Sequence, residues 1–314
     1  MILRFWGARG SYPTPTTGDE IRSRIASVIQ RLRPSDITDS ACRERFLASL
    51  PPWLFGAVSG NTACVEVRLS TGHSLIFDAG SGIARLSSWF AKQPRPTTEY
   101  HILFTHFHYD HIQGLPFFAP AYMPTSTINF YSPVPDFQEI LYDQMVPPYF
   151  PITMKDRMGA NLRFHVLTGD SVEINGATIR WRALNHPSGA FGYRVEEGGR
   201  VLVHATDVEL ERSDFDTTPE NSNFFTGADV LILDTQYTLG EAIDKYNWGH
   251  SSYSIGVEFA TAWRVGRLYM FHHEPQYDDK KLYKNLQAAR WYAQRLGNES
   301  LEVYLAEEGP EIAV

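Results

Sequence analysis

The sequence predicts an α/β protein built as a layered sandwich, two β-sheets with helices on their outer faces. Three observations predict it. Continuous apolar or β-branched runs of buried-strand length recur along the chain. Asn175-Gly176 and Gly198-Gly199 punctuate the middle of the chain at hairpin spacing. In the last third, strand runs alternate with helical periodicity, the pattern of helices laid against a sheet.

In chain order, 2–6 reads as a first strand, because its apolar stretch lacks the long hydrophobic core and cleavage pattern of a signal peptide. Segment 18–33 puts Ile21, Ile25, Val28, Ile29 and Leu32 on one helical face, with Asp19 near the start and Pro34 as a stop. A second helix runs from Asp39 to Leu50, ahead of Pro51-Pro52. This pair interrupts a strand-rich region, so 16–58 reads as a helical insertion whose apolar faces cover part of the core or a partner subunit. It lies within one domain spanning 1–314. Strands follow at 62–69, 74–78, 100–105 and 127–131, then a helix at 136–145 and the rigid loop Pro147-Pro148-Tyr149-Phe150-Pro151. Short strands resume at 162–166, 171–174, 177–184, 191–196 and 200–205. The pattern ends with a strand at 229–234, a helix from Ser252 to Trp263, a strand at 267–271, a helix from Asp278 to Leu296 and a strand at 301–305.

Composition narrows the function classes. With 43% hydrophobic and 20% charged residues the chain has the makeup of an ordinary globular protein and not of a disordered one. No stretch approaches the apolar length that spans a bilayer, and a cytoplasmic location is inferred. Cys42 and Cys64 share no metal-binding spacing and read as small buried hydrophobes. A net charge of −8 gives no footprint for long polyanions and leaves small substrates open.

The chemistry concentrates in Thr105-His106-Phe107-His108-Tyr109-Asp110-His111, directly after the apolar strand. Residues i and i+2 of an extended segment point the same way, so His106 and His108 can converge on one ion. If the chain then turns into a helix, Asp110 and His111 can face a second ion. Imidazole with carboxylate suits zinc and, with more oxygen donors, manganese or iron. Aromatics at Phe117, Phe118, Tyr122, Tyr149 and Phe150 offer stacking faces, with core or dimer packing the simpler role. Arg194 is open to phosphate contact or to a salt bridge.

His-x-His-x-Asp-His after an apolar strand resembles the signature of the metallo-β-lactamase superfamily. The resemblance extends to Phe77-Asp78-Ala79-Gly80-Ser81-Gly82, Asn185-His186-Pro187, Ala205-Thr206-Asp207, Trp248-Gly249-His250-Ser251-Ser252 and Phe271-His272-His273. Order and spacing, with Arg4–Ser11 and Gly60–Val67, look like the phosphodiesterase branch, which includes cyclic-nucleotide phosphodiesterases and tRNA 3′-processing endonucleases. Segment 16–58 departs from the shorter members.

The resemblance implies a four-layer αββα sandwich and a homodimer. It also implies a binuclear centre, with His106, His108 and His186 on one divalent ion, Asp110, His111 and His272 on the other, and Asp207 bridging. Zn²⁺ is the implied metal, with Mn²⁺ or Fe as alternatives. His272 fits the strand–His–x–x–Pro arrangement, with His273 the alternative. Asp78 would orient a ligand histidine, and His250, surplus to the ligand set, would protonate a departing alkoxide, with Asp234 or Glu241 as its orienting partner and helix capping as its other role. Asp110 and His250 are then the catalytic residues. The implied reaction is attack of a metal-bridged hydroxide on a small phosphodiester, a cyclic nucleotide foremost. A tRNA 3′-processing endonuclease, a lactonase or thioesterase, and a non-catalytic nucleotide-binding protein are the alternatives.

Overall fold

The structure, a computed structural model, describes residues 1–56, 58–93 and 97–314; one residue of the 16–58 segment, 57, lies outside the described residues. The first sheet is built from β1 (Ile2–Gly7), β2 (Cys64–Arg68), β3 (Ser74–Phe77), β4 (Glu99–Leu103), β5 (Thr127–Ser132) and β6 (Asn161–Val166). The second is built from β7 (Val172–Ile174), β8 (Ala177–Leu184), β9 (Ala190–Glu197), β10 (Arg200–Ala205), β11 (Val230–Asp234), β12 (Arg267–Phe271) and β13 (Glu302–Leu305). A final strand, β14 (Glu311–Ala313), returns to pair with β1, so the first sheet runs β14-β1-β2-β3-β4-β5-β6 and the second β13-β12-β11-β10-β9-β8-β7. Each sheet changes character once: strands are antiparallel up to β3 and β10, and parallel from there to β6 and β13.

The helices are α1 (Gly18–Ile29), α2 (Ser40–Ser49), α3 (Ile83–Phe90), α4 (Tyr109–Ile112), α5 (Phe137–Gln144), α6 (Met154–Arg157), α7 (Pro219–Phe225), α8 (Leu239–Asp244), α9 (Tyr253–Ala262) and α10 (Asp279–Arg295). Strand alternation sorts the apolar residues into three layers of core. Leu75, Phe77 and Leu103 meet Val195, Leu202 and Ile232 between the sheets. Ile76 and Ile102, on the opposite face, pack with Ile83 and Leu86 of α3. Leu231 and Leu233 pack with Val257 of α9 and Leu286 of α10. The strands that read as unbroken apolar runs are those buried on both faces. The result is the four-layer αββα sandwich.

The N-terminal helices differ from expectation. α1 stops at Ile29, four residues before 33, and no residue of α1 or α2 is buried. Ile21, Ile25 and Ile29 are 49%, 55% and 62% exposed, so the apolar face of α1 does not cover this chain's core. α1 forms for local reasons: Thr17 and Glu20 complete a capping box. It is tied to α10 through Arg24, whose Nη2 lies 2.7 Å from Asp279 Oδ2. Cys64 is buried as expected, but Cys42 is only partly buried, with Sγ 3.3 Å from Asp39 Oδ2. α3, α6, α7 and α8 lie outside the helices read from the sequence, each being too short to show a sustained period.

Two glycines set the distance between the β3 turn and α4. Ala79 N–H donates to His111 O (2.7 Å), and Gly114 N–H donates to Ala79 O (2.8 Å). A Cβ at Gly114 would lie 2.0 Å from Gly80 O, and one at Gly80 would lie 2.2 Å from Asp110 O. Backbone meets backbone at both positions, so neither clash is relieved by a rotamer change. Gly114→Ala is expected to destabilise the protein by about 3 kcal/mol, the upper range for overpacking. Urea unfolding of the variant checks this, and an unchanged midpoint would show that the turn and α4 can separate.

Candidate metal centre

Five strand ends converge on one cleft. β4 stops at Leu103, the chain continues extended through His106, and His108 stands as the N-cap of α4 with φ −62° and ψ 152°. The extended-then-helical path expected for the motif is thus present. It sets the His106 and His108 rings 4.5 Å apart and turns Asp110 and His111 inward. His186 follows β8, Asp207 follows β10 and His272 follows β12. Asp207 and His272, together with Asp78 after β3, hold left-handed backbone conformations with φ of 56°, 58° and 62°. Such angles are uncommon for residues with a Cβ and cluster at functional sites.

The side chains form two donor groups that share one carboxylate: His106, His108, His186 and Asp207; and Asp110, His111, Asp207 and His272. Within each group, one ligand atom per residue lies within 4.8 Å of the others. Asp207 Oδ2 is 3.6 Å from His106 Nε2, 3.8 Å from His186 Nε2 and 3.3 Å from His272 Nε2, while Oδ1 is 3.3 Å from His111 Nε2. Asp110 Oδ2 lies 3.4 Å from His111 Nε2 and 3.2 Å from His272 Nε2.

The arrangement fits divalent ions on its own chemistry. The Nε2 atoms of His106 and His111 are buried without a hydrogen-bond partner. Leaving such atoms unpaired is costly unless something else satisfies them. Four histidines have the opposite nitrogen fixed on an oxygen: His106 Nδ1 by the Thr105 hydroxyl (3.1 Å), His111 Nδ1 by Asp78 Oδ2 (2.8 Å), His186 Nδ1 by the Gly249 carbonyl (2.9 Å) and His272 Nδ1 by Gln236 Oε1 (3.0 Å). This pins the tautomer and aims Nε2 into the cleft. Asp78 is itself held by the Thr105 N–H and hydroxyl, both at 2.8 Å. Gln236 carried no signal in the sequence, since it acts through His272, which only the fold brings near; the bond from Thr105 to Asp78 is likewise made only by the fold.

The electrostatics agree. Burial alone would raise Asp207 and Asp110, yet the surrounding imidazoles, His111 foremost, hold both carboxyls well below the usual range. Burial penalises a charged His272, but Asp207 and Asp110 outweigh it and raise that histidine to about 9. Burial and His111 push His106 well down, leaving a neutral ring suited to ligation. Anionic carboxylates at the centre thus demand positive charge around them.

His250 stands beside this set. Its Nδ1 is 2.6 Å from Asp234 Oδ2, and its ring lies 4.8 Å from His272, nearly parallel, and 5.2 Å from His186. Asp234, at the end of β11, also accepts from the Val208 and Gln236 amides. Glu241 is engaged elsewhere, accepting from Thr238 and Tyr277. Ser252 caps α9, so His250 does not. His273 points away from the cleft, with Nε2 3.0 Å from the Ala306 carbonyl. Arg194 is salt-bridged to Glu196 (2.5 Å) and donates to the Phe224 carbonyl, away from the centre. Phe118 is core, whereas Phe117, Tyr149 and the motif's own Tyr109 are exposed.

Asp78→Asn keeps the shape of the side chain but removes its charge. It is expected to weaken divalent-metal affinity by about 10- to 100-fold. Competition against a calibrated chelator checks this, and unchanged affinity would mean that the carboxylate does not tune His111.

Comparison with known proteins agrees with the geometry. Residues 73–273 match the family model described as the Beta-lactamase superfamily domain. Ribonuclease Z of Limosilactobacillus reuteri (strain DSM 20016) is 23% identical, over 71% of this chain and 86% of its own. Among solved structures, the metallo-beta-lactamase fold protein YhfI from Bacillus subtilis superposes with a TM-score of 0.64 at 17% identity, covering 99% of this chain and 98% of its own. A diphosphatase from the PhnP family gives a TM-score of 0.63 at 17% identity, covering 100% and 97%. With the family match spanning the motif, His186, Asp207 and His272, the chain belongs to the metallo-β-lactamase superfamily and is a metal-dependent hydrolase.

Proposed function

We propose that this hydrolase is a binuclear phosphodiesterase acting on a small substrate, with a cyclic nucleotide as the best single candidate. His106, His108 and His186 would hold one ion, Asp110, His111 and His272 the other, and Asp207 both. The mixed imidazole and carboxylate donors favour Zn²⁺, with Mn²⁺ or Fe next. When bound, two such ions supply a water of lowered pKa and neutralise charge on phosphoryl oxygens.

The observation that carries the reading is the Asp234–His250 pair beside a donor set already complete without it. Asp234 holds the Nδ1 proton, and its own orientation is fixed by the two amides, so His250 presents Nε2 toward the cleft. An alkoxide is a poor leaving group and must be protonated as the P–O bond breaks. His250 Nε2 supplies that proton, and Asp234 stabilises the ring in the orientation this requires. Asp110 is held by the Ser11 N–H at 2.7 Å, which fixes its carboxylate in the cleft.

The net charge of −8 supports a small substrate over a long polyanion. Exposed Tyr109 and Phe117, near the motif, suit stacking against a nucleobase. The exposed isoleucine face of α1 supports a homodimer. The ribonuclease Z relative favours a second reading, cleavage at tRNA 3′ ends, for which the sequence offers no Gly- and Lys-rich arm.

His250→Ala is expected to retain its metal and lose about 100-fold in kcat on a cyclic nucleotide. It should lose far less on bis(p-nitrophenyl) phosphate, whose leaving group needs no proton. Equal losses on both substrates would remove His250 as the acid. Efficient wild-type cleavage of precursor tRNA, acyl-homoserine lactones or glutathione thioesters, with none of cyclic nucleotides, would move the assignment to that class.

A further inference from the structure

Along β4, β5 and β6, polar side chains break the apolar pattern of the inter-sheet face. Leu103 and Tyr131 belong to the core there. The positions of matching parity that precede them are Glu99 and His101 on β4 and Asn129 on β5, and His165 pairs with Tyr131 from β6. The rings form a row: His73 to His101 at 6.2 Å, His101 to Tyr131 at 5.9 Å and Tyr131 to His165 at 4.6 Å. Nothing in the hydrolytic site uses these groups, and a buried polar cluster in a sheet core requires a compensating partner.

His73 Nδ1 lacks one, being buried without a hydrogen-bond partner. Yet His73, Glu99 and His101 each bring one ligand atom within 4.8 Å of the others. His101 Nδ1 is fixed at 3.0 Å from the Tyr131 hydroxyl, the outer hydrogen bond that ligating histidines require. His101 Nε2 meets the amide nitrogen of Asn175 at 2.9 Å, and a half-turn of that amide would put its oxygen on the same side as Nε2. Burial lowers the His101 pKa to about 4, which leaves a neutral ring at neutral pH. Glu99 is steadied by the Asn129 amide at 3.1 Å. His73 and Glu99 are only half-buried, which leaves an entry path from solvent.

We propose that His73, Glu99 and His101 form a further metal site, for a divalent ion of the zinc class, separate from the hydrolytic centre. Two imidazoles and a carboxylate leave a fourth position for the Asn175 oxygen or water, the donor mix of tetrahedral zinc. The ion joins the β2–β3 hairpin to β4. It also lies where the second sheet touches the first, since Asn175 sits in the β7–β8 turn and its carbonyl accepts from Thr71 at 3.4 Å. The site therefore clamps the two sheets at the end away from catalysis.

The test is equilibrium dialysis of the full chain against Zn²⁺ with elemental analysis, comparing wild type, His73→Ala and Glu99→Gln. Wild type should hold one ion more per chain than either variant. Excess Zn²⁺ should raise its Tm by about 2 °C or more beyond any rise in the variants. Cu²⁺ loaded at one equivalent after the zinc centre is filled should give a nitrogen-ligated electron paramagnetic resonance spectrum that His73→Ala loses. Both variants should keep diester turnover. Equal metal content in all three proteins, or a copper spectrum unchanged by His73→Ala, would overturn the site. Because the comparison reads a difference of one ion at constant turnover, it stands apart from the assignment of the hydrolytic centre.

Discussion

Asp207 is a carboxylate sealed inside the protein, and much of the surrounding structure serves to compensate its charge. An isolated buried carboxylate would give up its charge by taking a proton. Here the nearby imidazoles keep it ionised, and those imidazoles are oriented in turn by Asp78, Gln236 and a backbone carbonyl. The turns that carry Asp78, Asp207 and His272 have left-handed backbone angles that ordinary residues avoid. A centre of this kind cannot be assembled from local preference. It has to be imposed by a core rigid enough to hold several unfavourable turns at once, and the two-sided burial of the central strands supplies that rigidity.

The geometry also sets His250 apart from the two donor groups. His111, His186 and His272 have both nitrogens committed, one to an oxygen and one to the cleft. His250 is positioned by a carboxylate but lies outside either donor group of the hydrolytic centre that Asp207 joins. It shares a third potential donor cluster with Asp234 and His272, and there Asp234 already occupies its Nδ1. Its near-parallel packing on His272 sets one more imidazole against the two donor groups. His273, the immediate neighbour of His272, turns the other way to bond the chain before β14. One step along the backbone thus separates a side chain that faces the donor groups from one that bonds a core carbonyl.

Much of this was legible in the sequence where a side chain's role follows from its own segment. The extended-then-helical motif told where His106, His108, Asp110 and His111 would point, and the strand–His–x–x–Pro arrangement pointed to His272 over His273. The main strands followed from their apolar runs. What the sequence withheld depends on distant partners. The choice of Asp234 over Glu241 beside His250 turns on Glu241 being claimed by Thr238 and Tyr277, and no spacing rule reveals that. The isoleucines of α1 have the periodicity of a buried face, yet periodicity reports amphipathicity and says nothing of which surface, if any, covers it. The short helices α3, α6, α7 and α8 are too brief to leave a period.

The change from antiparallel to parallel pairing happens once in each sheet, after β3 and after β10, and a buried aspartate in the same left-handed conformation follows each of those strands. One, Asp78, bonds Nδ1 of His111; the other, Asp207, is shared by both donor groups. The two halves of the molecule are thus variations on one plan, meeting face to face, and each supplies what the other lacks. Chain fragments divided between β6 and β7 would each carry an incomplete donor set, and the hydrolytic centre would reappear only when the fragments reassociate, so that metal capture becomes a reporter of sheet docking.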